Sequence, residues 1–280
     1  MNISEVDKKY LIRFAGKFQN DHPLLAQSLF QILGIFTMLS GYVLKARKLR
    51  RQEIRQDIRS EDLYLRIFWL AREGLKILEE YVLPMVANYG EPKTLSYKLR
   101  ASFYYLFVLF HNHPTVNLNH TYNDLTLSSR EVFDSELKGK NEKYSFTTQR
   151  PTRSSSIKLI HPFGAAYDAA TAATNLNIRA NLLIPAKDYR STARHCFQEA
   201  IVLADQYLYG SHPIRLSIMV EYATFIFECL HDCEESRQLA KTTIAEVFNA
   251  QEGIDNETFT DSIQLVNILG KIMTTRDFEG

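Results

Sequence analysis

Net charge carries almost no signal in this chain: Lys+Arg 33 against Asp+Glu 32 leave +1 over 280 residues. So balanced a chain has no overall field to attract a polyanion, so nucleic acid is not expected as a partner and electrostatic recognition must be local. Cysteine is scarce as well. Cys196, Cys229 and Cys233 are odd in number and lack zinc-finger spacing, as expected of reduced thiols in a cytosolic protein. Cys229-x-His231-x-Cys233 has the look of a metal cluster, but on a helix His231 points away from the i, i+4 cysteine pair. No glycine-rich phosphate loop, paired-histidine metal motif or serine elbow occurs, and His161, His195 and His212 have no spaced partners. Catalysis, a cofactor and a metal are therefore not expected. No segment recurs at a fixed period, which argues against a helical-repeat scaffold. Residues 1–13 are polar and charged, unlike a secretory leader, so the expected location is the cytoplasm.

Apolar residues at helical spacing are abundant. Hydrophobic residues make up 45% of the chain, ample for a packed core. Residues 1–18 place Leu11, Phe14, Ala15 and Phe18 on one face, and Asn20-Asp21-His22-Pro23 breaks the pattern. Helices are expected at 24–33 and 36–58, separated by a turn at Gly34, and then at 60–84, where Ser60 is placed to cap the first turn. The remainder fall at 93–110, 187–208, 213–230, 234–251 and 257–275. The sequence thus predicts an all-α fold of nine helices with short, antiparallel connections. Residues 24–44 contain no charge and precede a basic run from Lys45 to Arg51, the outline of a membrane span. Gln27, Ser28, Gln31, Gly34, Thr37, Ser40 and Gly41 suit soluble core helices better, so no membrane is expected.

One connection is long. Residues 111–185 are rich in Ser, Thr and Asn, with apolar periodicity only at 165–183, where a weak extra helix is expected. The segment includes Arg150-Pro151-Thr152-Arg153-Ser154-Ser155-Ser156, in which arginine three residues ahead of serine is a basophilic-kinase pattern. It reads either as a solvated basic patch or as a segment able to occupy a binding site of the chain itself.

The most diagnostic stretch is Ser211-His212-Pro213-Ile214-Arg215-Leu216. Ser211 is placed to cap a helix and Pro213 stands where a missing N–H costs nothing. The helix behind it is apolar nearly all round, interrupted by Glu221 and Glu228 two turns apart, and must be surrounded by other helices. This hexapeptide with its helix resembles the signature of the 14-3-3 proteins. Gln198-Glu199-Ala200, Leu239-Ala240-Lys241, Asp261-Ser262, Ala15-Gly16-Lys17-Phe18 and the stretch from Leu78 to Pro84 resemble further family patterns. The resemblance implies a single domain over 1–280 in the 14-3-3 arrangement, with a concave groove that binds phosphoserine or phosphothreonine segments of client proteins. It also implies two length changes. The hairpin of helices three and four is roughly 22 residues shorter than in the family, about three turns from each leg. An insertion of roughly 70 residues falls at about 112–185, where the fold tolerates it. The family's intersubunit ion pair falls on Lys17 and Arg66, which repel, so an altered homodimer or a monomer is expected.

A phosphorylated side chain needs concentrated positive charge that guanidinium forks match in shape. Lys48, Arg51, Arg55 and Arg59 form one cationic stripe on the third helix. By the resemblance, Lys48 and Arg55 belong to the phosphate clamp, and Arg59 and Lys98 to the groove. Tyr105 stands where the family has the clamp arginine, and Leu106 where it has tyrosine. Glu221 and Ile272 replace two asparagines that hold peptide backbone, Arg276 replaces a tryptophan, and Glu228 is kept. Val220 and Ile268 supply the apolar wall. Glu221 either repels a phosphate or pairs with Lys48 or Arg55. The expected function is a non-catalytic adaptor with weakened phosphate dependence; the alternative is a degenerate scaffold of the same fold that binds unphosphorylated amphipathic or self-derived segments.

Overall fold

The computed structural model describes residues 5–51, 58–112, 184–185, 187–250 and 256–274, without the side chains at 50–51, 58–61 and 111–112. Arg55, Arg276, the 150–156 segment and the helix expected at 165–183 lie outside the described residues, as does almost all of the insertion. Among the described residues there are eight helices longer than one turn, a single helical turn at Leu83–Met85, and no strand. They are α1 (Glu5–Phe18), α2 (Pro23–Arg51), α3 (Ile58–Ile77), α4 (Gly90–Phe107), α5 (Arg190–Tyr207), α6 (Pro213–Phe225), α7 (Cys233–Asn249) and α8 (Asn256–Thr274). Single π-helical turns extend three of them: Leu78–Val82 after α3, Val108–Asn112 after α4 and Ile226–Leu230 after α6.

Two expected helices are one. The turn predicted at Gly34 is absent, and α2 runs unbroken for 29 residues. Its inward stripe of Leu25, Leu29, Ile32, Phe36, Leu39, Val43 and Ala46 is buried at continuous helical spacing across the supposed break. The polar residues that suggested interruption satisfy themselves within the helix: Ser28, Thr37 and Ser40 donate to the carbonyls of Leu24, Leu33 and Phe36. Residues Pro23–Leu49 are long and apolar enough to cross a membrane, yet 44% of that apolar window is buried inside this fold. The buried side faces α1 and α3. Ser60 is likewise not a cap, because α3 already begins at Ile58.

Successive helices pack against one another along the chain, and α4 lies against α5 across the insertion. At the crossing of α2, α3 and α4, Phe36 stacks on Phe103 with ring centroids 4.6 Å apart. Gly74 makes room for that ring, since a Cβ there would stand 2.3 Å from Phe103 Cζ. The most enclosed element is α6. It contacts α1, α4, α5, α7 and α8, which explains why its apolar residues are buried nearly all round, Val220 alone among them being half-buried. Arg215 is buried within it only because Asp205 of α5 and Glu246 of α7 each stand 2.9 Å away.

The start of α6 differs from expectation by one residue. The cap is His212, whose Nδ1 accepts the Ile214 N–H at 3.1 Å. Ser211 instead offers its carbonyl to the Ser262 hydroxyl of α8 at 2.8 Å. The imidazole packs between Tyr10 and Tyr209, at centroid distances of 5.7 and 4.9 Å. Its other nitrogen stands 3.7 Å from Glu91, and the His212 ring holds that carboxyl below its usual value against the opposing effect of burial. The hexapeptide is therefore a junction of α1, α4, α6 and α8. At the end of α6, His231 adopts a left-handed conformation, φ 57°, and Asp232 caps α7. Cys229 and Cys233 thus belong to two helices, and the geometry of one continuous helix does not apply to them.

His212→Ala removes both the cap and the ring contacts and is expected to cost about 1–2 kcal/mol in urea unfolding. His212→Asn, which restores a capping oxygen but no ring, should fall between the two; identical midpoints for all three proteins would contradict this account of the junction.

Candidate functional site

Two polar rungs join α4 to α6. In the first, Lys98 of α4 is 1% exposed and its ammonium meets Asp7 of α1, itself fully buried, and Glu221 of α6 at 2.6 Å. Two hydroxyls complete the shell. Ser217 donates to Asp7 Oδ1 and Ser102 to Glu221 Oε2, both at 2.7 Å. The i, i+4 spacing of Lys98 with Ser102, and of Ser217 with Glu221, puts each pair on one helix face. Burial opposes the charge on Lys98, but the two carboxylates more than compensate, and its pKa is raised. Glu221 Oε1 is buried with no hydrogen-bond partner.

The second rung lies seven residues further along both helices, about 10 Å away, so α4 and α6 run parallel here. Tyr105 is fully buried, and its hydroxyl donates to Glu228 Oε2 at 2.5 Å. Arg47 of α2 donates to the same oxygen through Nη2 at 2.7 Å. The Tyr105 ring is wedged edge-on against Phe225, centroids 5.4 Å apart at 82°, and against Phe197 at 6.4 Å. Burial first, then the Glu228 charge, pushes the Tyr105 hydroxyl well above its ordinary value. Burial would raise the Glu228 carboxyl too, but neighbouring positive charge, Arg47 included, and the Tyr105 hydrogen bond hold it low. The π-helical turn Ile226–Leu230 carries Glu228 into this position.

The residues selected from sequence are therefore distributed unevenly. Lys98 meets Glu221, and Tyr105 meets Glu228. Lys48 is exposed, Val220 is half-buried against the core, and Ile268 of α8 is 41% exposed. Arg59 sits in the first turn of α3, with its side chain outside the described residues, as is all of Arg55. Glu221 takes Lys98 and Ser102 as partners, in place of the Lys48 or Arg55 considered above. Lys17 and Arg66 are both exposed.

Arg47 and Asp7 were missed by sequence reasoning, though both left a trace. Arg47 is four residues beyond buried Val43 and eight beyond buried Leu39, so it continues the inward stripe of α2, off the Lys48 stripe. Asp7 is seven before buried Phe14, on the inner face of α1. In the inner rung two carboxylates face one ammonium, and in the outer rung Glu228 meets Arg47. Such an arrangement can fix helix positions and accept a donor, and Arg47 is the cation within it whose side chain remains 31% exposed. Among the described residues no cluster of three or more potential metal ligands occurs.

Residues 185–275, containing α5 to α8, match the family model described as 14-3-3 protein. The chain is 25% identical over 96 residues to 14-3-3 protein I of Plasmodium falciparum (isolate 3D7), covering 34% of this chain and 37% of the relative. It is 27% identical over 84 residues to 14-3-3 protein beta/alpha of Homo sapiens, 30% of this chain and 34% of the relative. The matched stretch thus spans about a third of the length of these curated relatives.

Lys98→Met strands two carboxylates in the core and is expected to destabilise the protein by about 3–5 kcal/mol. Adding Asp7→Asn and Glu221→Gln removes the stranded charge and should recover most of that loss; a triple variant as unstable as the single one would contradict the electrostatic account.

Proposed function

We propose, from the chain's place as a divergent member of the 14-3-3 family, that it is a non-catalytic adaptor. It binds segments of client proteins in a groove bordered by α2, α4, α6 and α8, with a reduced requirement for phosphate. The observation that carries the reduced requirement is the commitment of Lys98 to Asp7 and Glu221, since a lysine held by two buried carboxylates has no charge left for a ligand. Tyr105, at the position of the family's clamp arginine, brings a hydroxyl already given to Glu228. Phosphate recognition then rests on Lys48 and Arg55, with Arg59 as a further groove arginine. A guanidinium fork contributes about 1.5–3 kcal/mol per charge-assisted hydrogen bond, so its replacement by tyrosine lowers the advantage of a phosphorylated ligand by that order.

The apolar wall supports a second reading, in which an unphosphorylated amphipathic segment is the natural ligand. Ile268 is 41% exposed on α8, and Val220 is only half-buried on α6. Residues of this kind hold the apolar face of a ligand helix without any phosphate. The exposed like charges of Lys17 and Arg66 favour a monomer or a dimer unlike that of the family, and the cytoplasm is the location that suits such an adaptor.

The two readings separate in binding measurements with matched phosphorylated and unphosphorylated peptides. A phosphate preference of about tenfold is expected, equivalent to roughly one charge-assisted hydrogen bond, and it should vanish in Arg55→Ala. A ratio near one in the unaltered protein would overturn the phosphate reading in favour of the amphipathic one.

A further inference from the structure

We propose that the outer face of α2 is the surface through which two copies of this chain pair, with α2 lying antiparallel against α2 of the second copy. The inference goes beyond the groove reading and does not depend on what the groove binds. From Pro23 to Leu44 the helix carries no charged residue. A helix with no charged side is normally enclosed by others, yet the outer side of this segment is open. Leu24, Phe30, Met38 and Leu44 are 45–71% exposed there. Gln27, Gln31, Gly34, Thr37 and Gly41 lie exposed among them. A Cβ at Gly34 or Gly41 would meet nothing within 4 Å, so another helix can approach closely at both.

The spacing identifies the occupant. Leu24, Gln27, Gln31, Gly34, Met38, Gly41 and Lys45 recur at alternating steps of three and four, the pattern of a seam between two helices. This seam is complementary to itself when the second copy runs antiparallel with its Gly34 level with Gln31. Leu24 then lies over Gly41 of the second copy, Gln31 over Gly34 and Met38 over Gln27, and the two-fold axis repeats each contact. Long side chains are thus set on the glycines. The flank of the seam matches as well. Between the α1–α2 turn and the first turns of α2 is an open hollow of about 470 Å3, lined by Gln19, Pro23, Ala26 and Phe30 among others. Phe30, Thr37 and Leu44 follow one another at steps of seven and share one flank, and equal flanks face each other across the axis. The register therefore brings Leu44 of the second copy to this hollow, and the exchange is mutual.

Opposite charges close the two ends. Lys45 comes level with Asn20 of the second copy, beside Asp21, and among the described residues neither Lys45 nor Asp21 has an ion-pair partner within its own copy. The pair stays on the solvated rim, where it fixes register more than it adds affinity. Antiparallel pairing also keeps the two basic runs that begin at Lys45 apart, whereas a parallel pair would stack them. Lys17 and Arg66 lie on α1 and α3, so the repulsion between them does not oppose this contact.

Sedimentation equilibrium of the full chain tests the pairing. One helix face is a small interface, so a dimer with a dissociation constant of about 10 μM is expected. Gly34→Glu sets two carboxylates on the seam and should weaken the dimer at least about thirtyfold, while its urea midpoint at low concentration stays near that of the unaltered protein. Gly34→Ala should strengthen the helix of each copy yet loosen the dimer about threefold to tenfold, opposite effects that a purely structural glycine would not give. Asp21→Lys and Lys45→Asp should each weaken the dimer about threefold, and their combination should recover most of that loss. A chain that is monomeric up to about 200 μM, a dimer unmoved by Gly34→Glu, or a double variant without recovery overturns the proposed pairing. A monomer that floats with phosphatidylcholine vesicles, and loses that binding in Gly34→Glu, assigns the face to a lipid surface and overturns it too. None of these outcomes touches the peptide-binding reading, which the matched peptides test.

Discussion

An ammonium in a water-free interior must find its counter-charge within the fold, and the contact of Lys98 with Asp7 and Glu221 meets that demand. The three residues come from α4, α1 and α6, separated by as many as 214 positions in the chain, and they meet only when those helices stand in one arrangement. The serine hydroxyls at 102 and 217 tighten the requirement, because each reaches a carboxylate oxygen only in the same register. Apolar packing alone would tolerate small slides of α6 among its five neighbours. A buried charge cluster does not, since displacement exposes the lysine or strands a carboxylate at a cost of several kcal/mol. The position of α6 is thereby fixed, and with it the position of Glu228 two turns further on.

That linkage ties the two rungs together. Parallel α4 and α6 carry both rungs, so the inner rung sets the geometry of the outer one, where Tyr105 and Arg47 converge on Glu228. The inner rung is sealed and structural. The outer rung is partly exposed at Arg47 and Glu228. Lys98 is thereby an internal strut, its charge spent on Asp7 and Glu221.

Much of the fold was legible from pattern. The burial of α6 on all sides followed from apolar residues around its whole circumference, and α4 and α7 followed from ordinary amphipathic spacing. The continuity of α2 was obscured by Gly34 and by serines and threonines whose hydroxyls turn back to their own helix, a satisfaction that composition cannot display. His212 as the cap was hidden because a preceding serine is the more usual choice. At the site, Lys98, Tyr105, Glu221 and Glu228 could be named from sequence, but their pairing could not. Partners 119 and 123 positions apart, as in Ser102–Glu221 and Tyr105–Glu228, are chosen by tertiary packing. Arg47 and Asp7 were not singled out, although their register, four residues beyond Val43 and seven before Phe14, places them on the inner faces of α2 and α1.

Lysine-specific acylation of the native protein, followed by mass spectrometric mapping of each modified position, tests the central claim most directly. Lys45 and Lys48 should be modified readily while Lys98 remains untouched until the protein is unfolded, because its ammonium is both inaccessible and held protonated by two carboxylates. Modification of Lys98 in the folded protein at a rate comparable to that of Lys48 would contradict it.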